Sequence, residues 1–219
     1  MSESACRFLV GLGNPGARYA RTRHNVGFRV IEALWRAQGG GDRKRRGDLE
    51  YETARTAGFR VFLARPLAYM NLSGPPVRAL LEYFGADPAD MLVIYDDADL
   101  PLGTLRMRRG GGSGGHKGVG SIIDAFGSEE FARLKIGIGR PGEPGDDIVQ
   151  FVLDKPSADD AAALAARARP PAPSASPAPS KPERSCRGAG VNRGRDATRQ
   201  ACGERHAGRS RPKTAPSTP

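Results

Sequence analysis

Met91-Leu-Val-Ile-Tyr95-Asp-Asp-Ala-Asp99 opens as an uninterrupted apolar run and closes in an acidic cluster. A short apolar run bounded by polar residues reads as a strand. Outward from it, neighbouring segments alternate in type. Upstream, Phe8-Leu-Val10 is a short strand entering a glycine turn. Val26, Val30, Ile31, Leu34 and Trp35 then recur at helical spacing until Gly39-Gly-Gly41 ends them. Arg43-Lys-Arg-Arg46 is expected as a basic surface loop. Tyr51 to Ala54 and Phe59 to Ala64 are expected as two strands joined at Gly58. Pro75-Pro76 starts a helix that carries Val77, Leu80, Leu81 and Phe84 and stops at Gly85. Downstream, Thr104 to Arg108 is a strand with alternating faces, and Val119, Ile122, Ile123 and Phe126 mark a helix. Leu134 to Ile138 is a strand, and Asp147 to Val152 and Ala158 to Leu164 are helical. Strands alternating with helices predict an α/β fold: one domain, with a mixed, mostly parallel sheet flanked by helices. No internal repeat is present.

After Leu164 the chain changes character. From Ala168 to Pro219 the only branched aliphatic residue is Val191, Leu, Ile, Met and all aromatics are missing, and 9 of the 18 prolines of the chain gather there. That stretch holds 11 basic and 3 acidic residues, so it carries +8 of the net charge of +10, while residues 1–167 carry +2. The high pI therefore says little about the folded part. Such a segment buries too little apolar surface to offset backbone ordering at about 1–2 kcal/mol per residue. The expected organisation is a domain over 1–167 and a disordered tail rich in Pro, Ala and Arg over 168–219. A basic RNA-binding arm and a shifted reading frame of GC-rich DNA are alternative readings of the tail. The arginines are scattered with no aromatic between them for stacking.

No run of 18 apolar residues exists, so no membrane helix is predicted. The first residues, Met1-Ser-Glu-Ser-Ala-Cys6-Arg7, lack the basic-then-apolar layout of a signal peptide. Cys6, Cys186 and Cys202 form neither a disulfide framework nor a zinc spacing. A reducing cytoplasm is expected.

Two glycine-rich stretches invite nucleotide readings. Gly11-Leu-Gly13-Asn-Pro-Gly16 fits G-x-G-x-x-G after a strand, but helical periodicity resumes only near Asn25, and Glu32 sits mid-helix instead of at a strand end. Gly110-Gly-Gly-Ser-Gly-Gly-His116-Lys117-Gly118 fails as a P-loop, because His116 takes the second glycine position and Gly118 replaces the magnesium-binding hydroxyl. Either a flexible loop or a close approach of backbone to a large ligand suits it.

Ligands of open α/β sheets bind beyond the carboxyl ends of strands. Asn14, Asp96 and Asn71 follow strands and His24 immediately precedes the first helix, so the four are placed to converge on one crevice, and they permit general-base hydrolysis. A neutral His deprotonates water while a carboxylate fixes its tautomer, and Asn amides hold a peptide or an oxyanion. No G-x-S-x-G elbow supports a serine nucleophile. Simpler readings stand beside this one. His24 as an ordinary satisfied histidine, Asn25 and Asn71 as helix caps, and Asp96 to Asp99 as a solvated turn all fit. A metal site from His24, His116 and the aspartates is conceivable, but no paired ligand spacing supports it.

Five motifs in order carry a resemblance. They are Val10-Gly-Leu-Gly-Asn-Pro-Gly16 with Tyr19 and Thr22-Arg-His-Asn-Val-Gly-Phe28; Arg65-Pro-Leu-Ala-Tyr-Met-Asn-Leu-Ser-Gly74; Asp96-Asp-Ala-Asp-Leu-Pro-Leu-Gly103; Gly110 to Gly118; and Lys135-Ile-Gly-Ile-Gly-Arg-Pro-Gly142. Together they resemble bacterial peptidyl-tRNA hydrolase over residues 8 to about 155. The resemblance implies a cofactor-free, metal-independent esterase that cleaves peptide from tRNA in the cytoplasm, as a monomer and away from membranes. It implies His24 as general base and Asp96 as its orienting partner. It further implies Asn14 and Asn71 holding substrate and water, Tyr19 and Tyr69 lining the crevice, and His116 in substrate contact. Arg108 and Lys135 would meet tRNA phosphates.

Two departures stand out. Lys117 occupies a position where the family often has Asn, and Lys only donates hydrogen bonds, so altered binding with retained catalysis is expected. The family's long closing helix also breaks here after Ser157-Ala-Asp-Asp-Ala161 into Pro170-Pro171. Its loss would uncover apolar sheet surface. A nucleotide-dependent oxidoreductase on Gly11 to Gly16 and a non-catalytic RNA-binding protein are the alternative functions.

Overall fold

A computed structural model describes residues 7–56, 59–140 and 147–168. The expected disordered tail beyond Ala168 and the Gly58 junction lie outside the described residues. Seven strands form one sheet: β1 (Phe8–Gly11), β2 (Lys44–Arg45), β3 (Leu49–Thr56), β4 (Phe59–Pro66), β5 (Met91–Asp97), β6 (Leu105–Arg108) and β7 (Ala132–Gly137). Their order is β2-β3-β4-β1-β5-β7-β6. The four central strands, β4, β1, β5 and β7, run parallel, and the outer strands on both sides pair antiparallel.

Five helices accompany the sheet: α1 (Val26–Ala37), α2 (Gly74–Tyr83), α3 (Lys117–Phe126), α4 (Ile148–Leu153) and α5 (Ala158–Ala168). Alternation along each strand sorts the core into two layers. Phe8, Val10, Met91, Val93 and Tyr95 meet Val77, Leu80, Leu81, Val119 and Ile122 of α2 and α3 on one face. Leu63, Ile94 and Ile136 meet Val26, Ile31 and Trp35 of α1 and Leu164 of α5 on the other. The apolar stripe of α1 is thus what seats it, and the Trp35 indole N–H donates to the Leu63 carbonyl at 3.4 Å.

Three elements differ from the sequence reading. The expected basic loop 43–46 contains β2, an exposed edge strand paired with Tyr51 and Glu50. Its return turn is closed by reciprocal Arg46 and Leu49 backbone bonds of 2.8 and 3.1 Å, with Gly47 at φ +54°. The charged side chains blunt the open edge. β5 also runs further than Tyr95. Pairing with β7 continues through Asp96 and Asp97, so Asp96 is a strand residue and not the start of a turn. The strand over 105–108 alternates as expected but is exposed on both faces, because it is the sheet's last strand.

Candidate active site

The site lies beyond the carboxyl ends of β1 and β5, from which the chain continues to opposite halves of the sheet, the place where open α/β folds bind ligands. After β1 the chain passes beneath α1. Leu12 N–H donates to the Ile94 carbonyl at 2.9 Å, and Phe28 N–H to the Leu12 carbonyl at 3.2 Å. This approach is close: a Cβ on Gly27 would stand 2.4 Å from the Ile94 oxygen and 2.5 Å from Leu12 N. A Cβ on Gly13 would strike the Phe28 ring at 2.6 Å. Gly13 therefore serves the close packing of Phe28 at the start of α1 on the loop after β1.

A 3₁₀ turn, Arg23–Asn25, sets His24 at the mouth of this junction. Its Nδ1 lies 2.9 Å from both Asp96 oxygens. His116 Nε2 stands 3.1 Å from Asp96 Oδ1. Burial pushes the Asp96 carboxyl up, but the hydrogen bonds from His116 and His24 outweigh it and hold the group well below the usual carboxylate range. An ionised carboxylate only accepts, so both imidazoles donate to it. His116 Nδ1 accepts the Val119 N–H at 3.2 Å as the N-cap of α3, which fixes its neutral tautomer with the proton on Nε2. Both ring nitrogens of His116 are thereby occupied. His24 keeps its Nε2 lone pair on a ring that lines the cleft. His24, Asp96 and His116 also offer ligand atoms within 4.8 Å of one another. A cation there would have to displace the protons from both histidine nitrogens that face Asp96, which disfavours it.

Asn14 is oriented with equal definition. Its Oδ1 accepts the Met70 N–H at 2.8 Å, so Nδ2 remains as a donor on a residue that lines the cleft. Asn25 does not cap α1. Its side chain instead brackets Asn14, accepting from Asn14 N at 2.8 Å and donating to Asn14 O at 2.9 Å. Asn71 is exposed in the 3₁₀ turn Met70–Leu72 and caps no helix.

The cleft is about 750 Å³ in volume. It gathers Asn14, Tyr19, His24, Tyr69, Asn71 and Asp96 with His116, Lys117 and Lys135. Tyr19 and Tyr69 meet edge to face, with centroids 6.5 Å apart. Lys117 is exposed at the start of α3. Lys135 Nζ is paired with Asp97 Oδ2 at 2.7 Å. Arg108 stands outside the cleft on β6.

The family model described as "Peptidyl-tRNA hydrolase" matches residues 8–173. The chain belongs to the peptidyl-tRNA hydrolase family. It is 44% identical over 149 residues to the peptidyl-tRNA hydrolase of Halalkalibacterium halodurans, covering 68% of this chain and 80% of the relative. To that of Aquifex aeolicus it is 49% identical over 152 residues, covering 67% and 76%. A crystal structure of a peptidyl-tRNA hydrolase in complex with N-propanol superposes with a TM-score of 0.69 at 34% identity, over 75% of this chain and 83% of that one. The Acinetobacter baumannii peptidyl-tRNA hydrolase gives 0.68 at 33% identity, with the same coverage.

Several members of the site carry no mark in the sequence of this peptidyl-tRNA hydrolase family member. Asn25 reads as a cap. Arg23, to which the sequence assigns no role, is buried, lies over the Phe151 ring at 4.2 Å and donates to the Phe151 and Lys155 carbonyls at 3.4 and 3.3 Å. It ties the His24 turn to the end of α4. Asn25 and Arg23 both lie inside the Thr22–Phe28 motif, and that adjacency to His24 is the signal that could have been followed.

Proposed function

We propose that this chain hydrolyses peptidyl-tRNA, cleaving the ester between the C-terminal carbonyl of a peptide, or an N-acylated amino acid, and the ribose of tRNA, so that free tRNA returns to translation. Family membership supports the substrate. The observation that carries the mechanism is the His24–Asp96 pair, bonded at 2.9 Å in the cleft.

As water attacks the ester carbonyl, His24 Nε2 takes its proton and Asp96 balances the imidazolium. Such general-base catalysis is worth roughly 10²–10⁴ in rate. Asn14 Nδ2 donates to the oxyanion that forms. The tetrahedral intermediate then collapses. The C–O bond to ribose breaks, and the departing ribose oxygen takes the proton back from His24. His116 steadies Asp96 from its other side. Asn71 holds the peptide backbone at the edge of the cleft, and Tyr19 and Tyr69 wall it. Lys117, Arg108 and Lys135 meet tRNA phosphates, contacts that need no base sequence and so suit an enzyme accepting many tRNAs. The chain works as a cytoplasmic monomer through its domain over 1–167, without a cofactor or a membrane; no described helix is long and apolar enough to cross one.

The test is release of an N-acetylated aminoacyl group from tRNA by the full chain. Turnover is expected to vanish in His24→Ala, with tRNA affinity within about twofold of wild type because the lost group contacts the reacting water and no phosphate. Hydrolysis that survives His24→Ala overturns the assignment.

A further inference from the structure

The glycine-rich segment between β6 and α3 forms one wall of the cleft, which Ser113, Gly114 and Gly115 line. Regular structure holds its two ends, Arg108 in β6 and His116 at the cap of α3. Between them Gly111, Gly114 and Gly115 take φ of 115°, 57° and 79°. Backbone of this kind has little preference for one shape. Within the segment His116 N–H reaches the Ser113 carbonyl at 3.1 Å, and Gly115 N–H reaches Ser113 Oγ at 3.4 Å. A tie from outside comes from the sheet. Arg133 of β7 donates from Nη1 to the Gly112 carbonyl at 2.7 Å and from Nη2 to the Glu129 carbonyl at 3.1 Å.

Arg133 is only 1% exposed. Its guanidinium lies 4.3 Å over the Phe131 ring, and its Nε has no partner among the described residues. Its hydrogen bonds go to carbonyls, not to a carboxylate. A buried cation with no carboxylate among its hydrogen-bond partners is a costly way to fill space, and an apolar side chain of similar volume would pack there with less penalty. What the guanidinium adds is a rigid planar fork that spans two carbonyls from separate connections.

We propose that Arg133 is a positioning residue that ties the Gly112 carbonyl to the Glu129 connection and so preforms the glycine-rich wall of the cleft. It touches no reacting atom. The inference rests on reading the cleft as the peptidyl-tRNA site. His116 has anchors of its own in Asp96 and α3, so loss of the tie loosens Gly110 to Gly115 and leaves the His116–Asp96–His24 array in place. Substrate must then order the wall as it binds, and the effect falls on KM.

Arg133→Lys and Arg133→Met test this in the full chain, at a temperature where each is folded. Backbone ¹⁵N order parameters of Gly112 to Gly115 are expected to fall from about 0.8 to below about 0.6 in both variants. α3 should remain rigid. With N-acetylated aminoacyl-tRNA, KM is expected to rise about tenfold while kcat stays within about threefold. Wild-type order parameters in the folded variants overturn the tie whatever the activity shows. A loosened wall with wild-type KM overturns its role in binding. If Arg133→Met does not fold, Arg133→Lys decides both points. Absence of hydrolysis in the wild type would remove the functional reading alone, and the order parameters would still decide whether Arg133 holds the wall.

Discussion

Asp96 receives two imidazole N–H groups, from His24 and His116, on a carboxylate that is only 4% exposed. Its folded pKa lies below the unfolded value of about 3.9. The native state therefore binds fewer protons at this group, and the stabilisation is fully present above about pH 4 and lost as pH falls below it. Asp96→Asn should lower kcat by roughly 10²–10⁴, since an amide no longer enforces the His24 tautomer. The stability of wild type minus that of Asp96→Asn, measured by urea unfolding, should decline as pH falls below about 4. A difference that stays constant as pH falls from about 5 to about 3 would show that Asp96 carries no such stabilisation. His24 and Asp96 were legible because each lies inside a motif that carries the resemblance, and the structure bonds them at 2.9 Å. Asn25, Arg23 and Arg133 were not, because each acts on backbone groups brought near only by folding.

At the scale of elements, α5 packs beside α1 through a single large apolar residue: Leu164, at 1% exposure, enters the core. Leu164→Ala should therefore cost about 2–3 kcal/mol, read as a lower urea midpoint with an unchanged m-value. A loss under about 0.5 kcal/mol would show that α5 does not close the core. On the same sheet face Leu105 and Met107 of β6 remain 48% and 60% exposed. The helices with a clear apolar stripe were legible. β2 was not, because its pairing comes from a turn closed by backbone bonds and its own residues are all charged.

Across the whole molecule, cross-strand register puts Arg106 opposite Lys135 and Arg108 opposite Arg133, so four cations share one face of the β6–β7 edge. Arg133 is buried beneath the glycine-rich wall, so Arg106, Arg108 and Lys135 form the patch beside the cleft where tRNA phosphates are expected. Arg108→Ala and Lys135→Ala should each reduce the slope of log affinity against log salt by about 0.7–0.9. Lys135→Ala should weaken binding more, since it also leaves the Asp97 carboxylate without its 2.7 Å partner. Removing residues 169–219 should leave most of the affinity in place. Loss of most of it would move the RNA-binding surface to the basic tail. Equilibrium titrations of tRNA between 50 and 200 mM salt distinguish these outcomes.

Local periodicity determined the α/β class and the parallel centre of the sheet, and five short motifs carried the family, because strand alternation, helical spacing and contiguous motifs are short-range properties. Tertiary structure decided the rest. It set the tautomers of His24 and His116 through one shared carboxylate, turned the Asn14 amide by a bond from Met70 N–H, and placed Arg108 outside the cleft and Lys135 within it. It also buried Arg133 behind the glycine-rich wall. Each of these depends on a backbone or side-chain partner many residues away, and no local pattern encodes which distant group a side chain will meet.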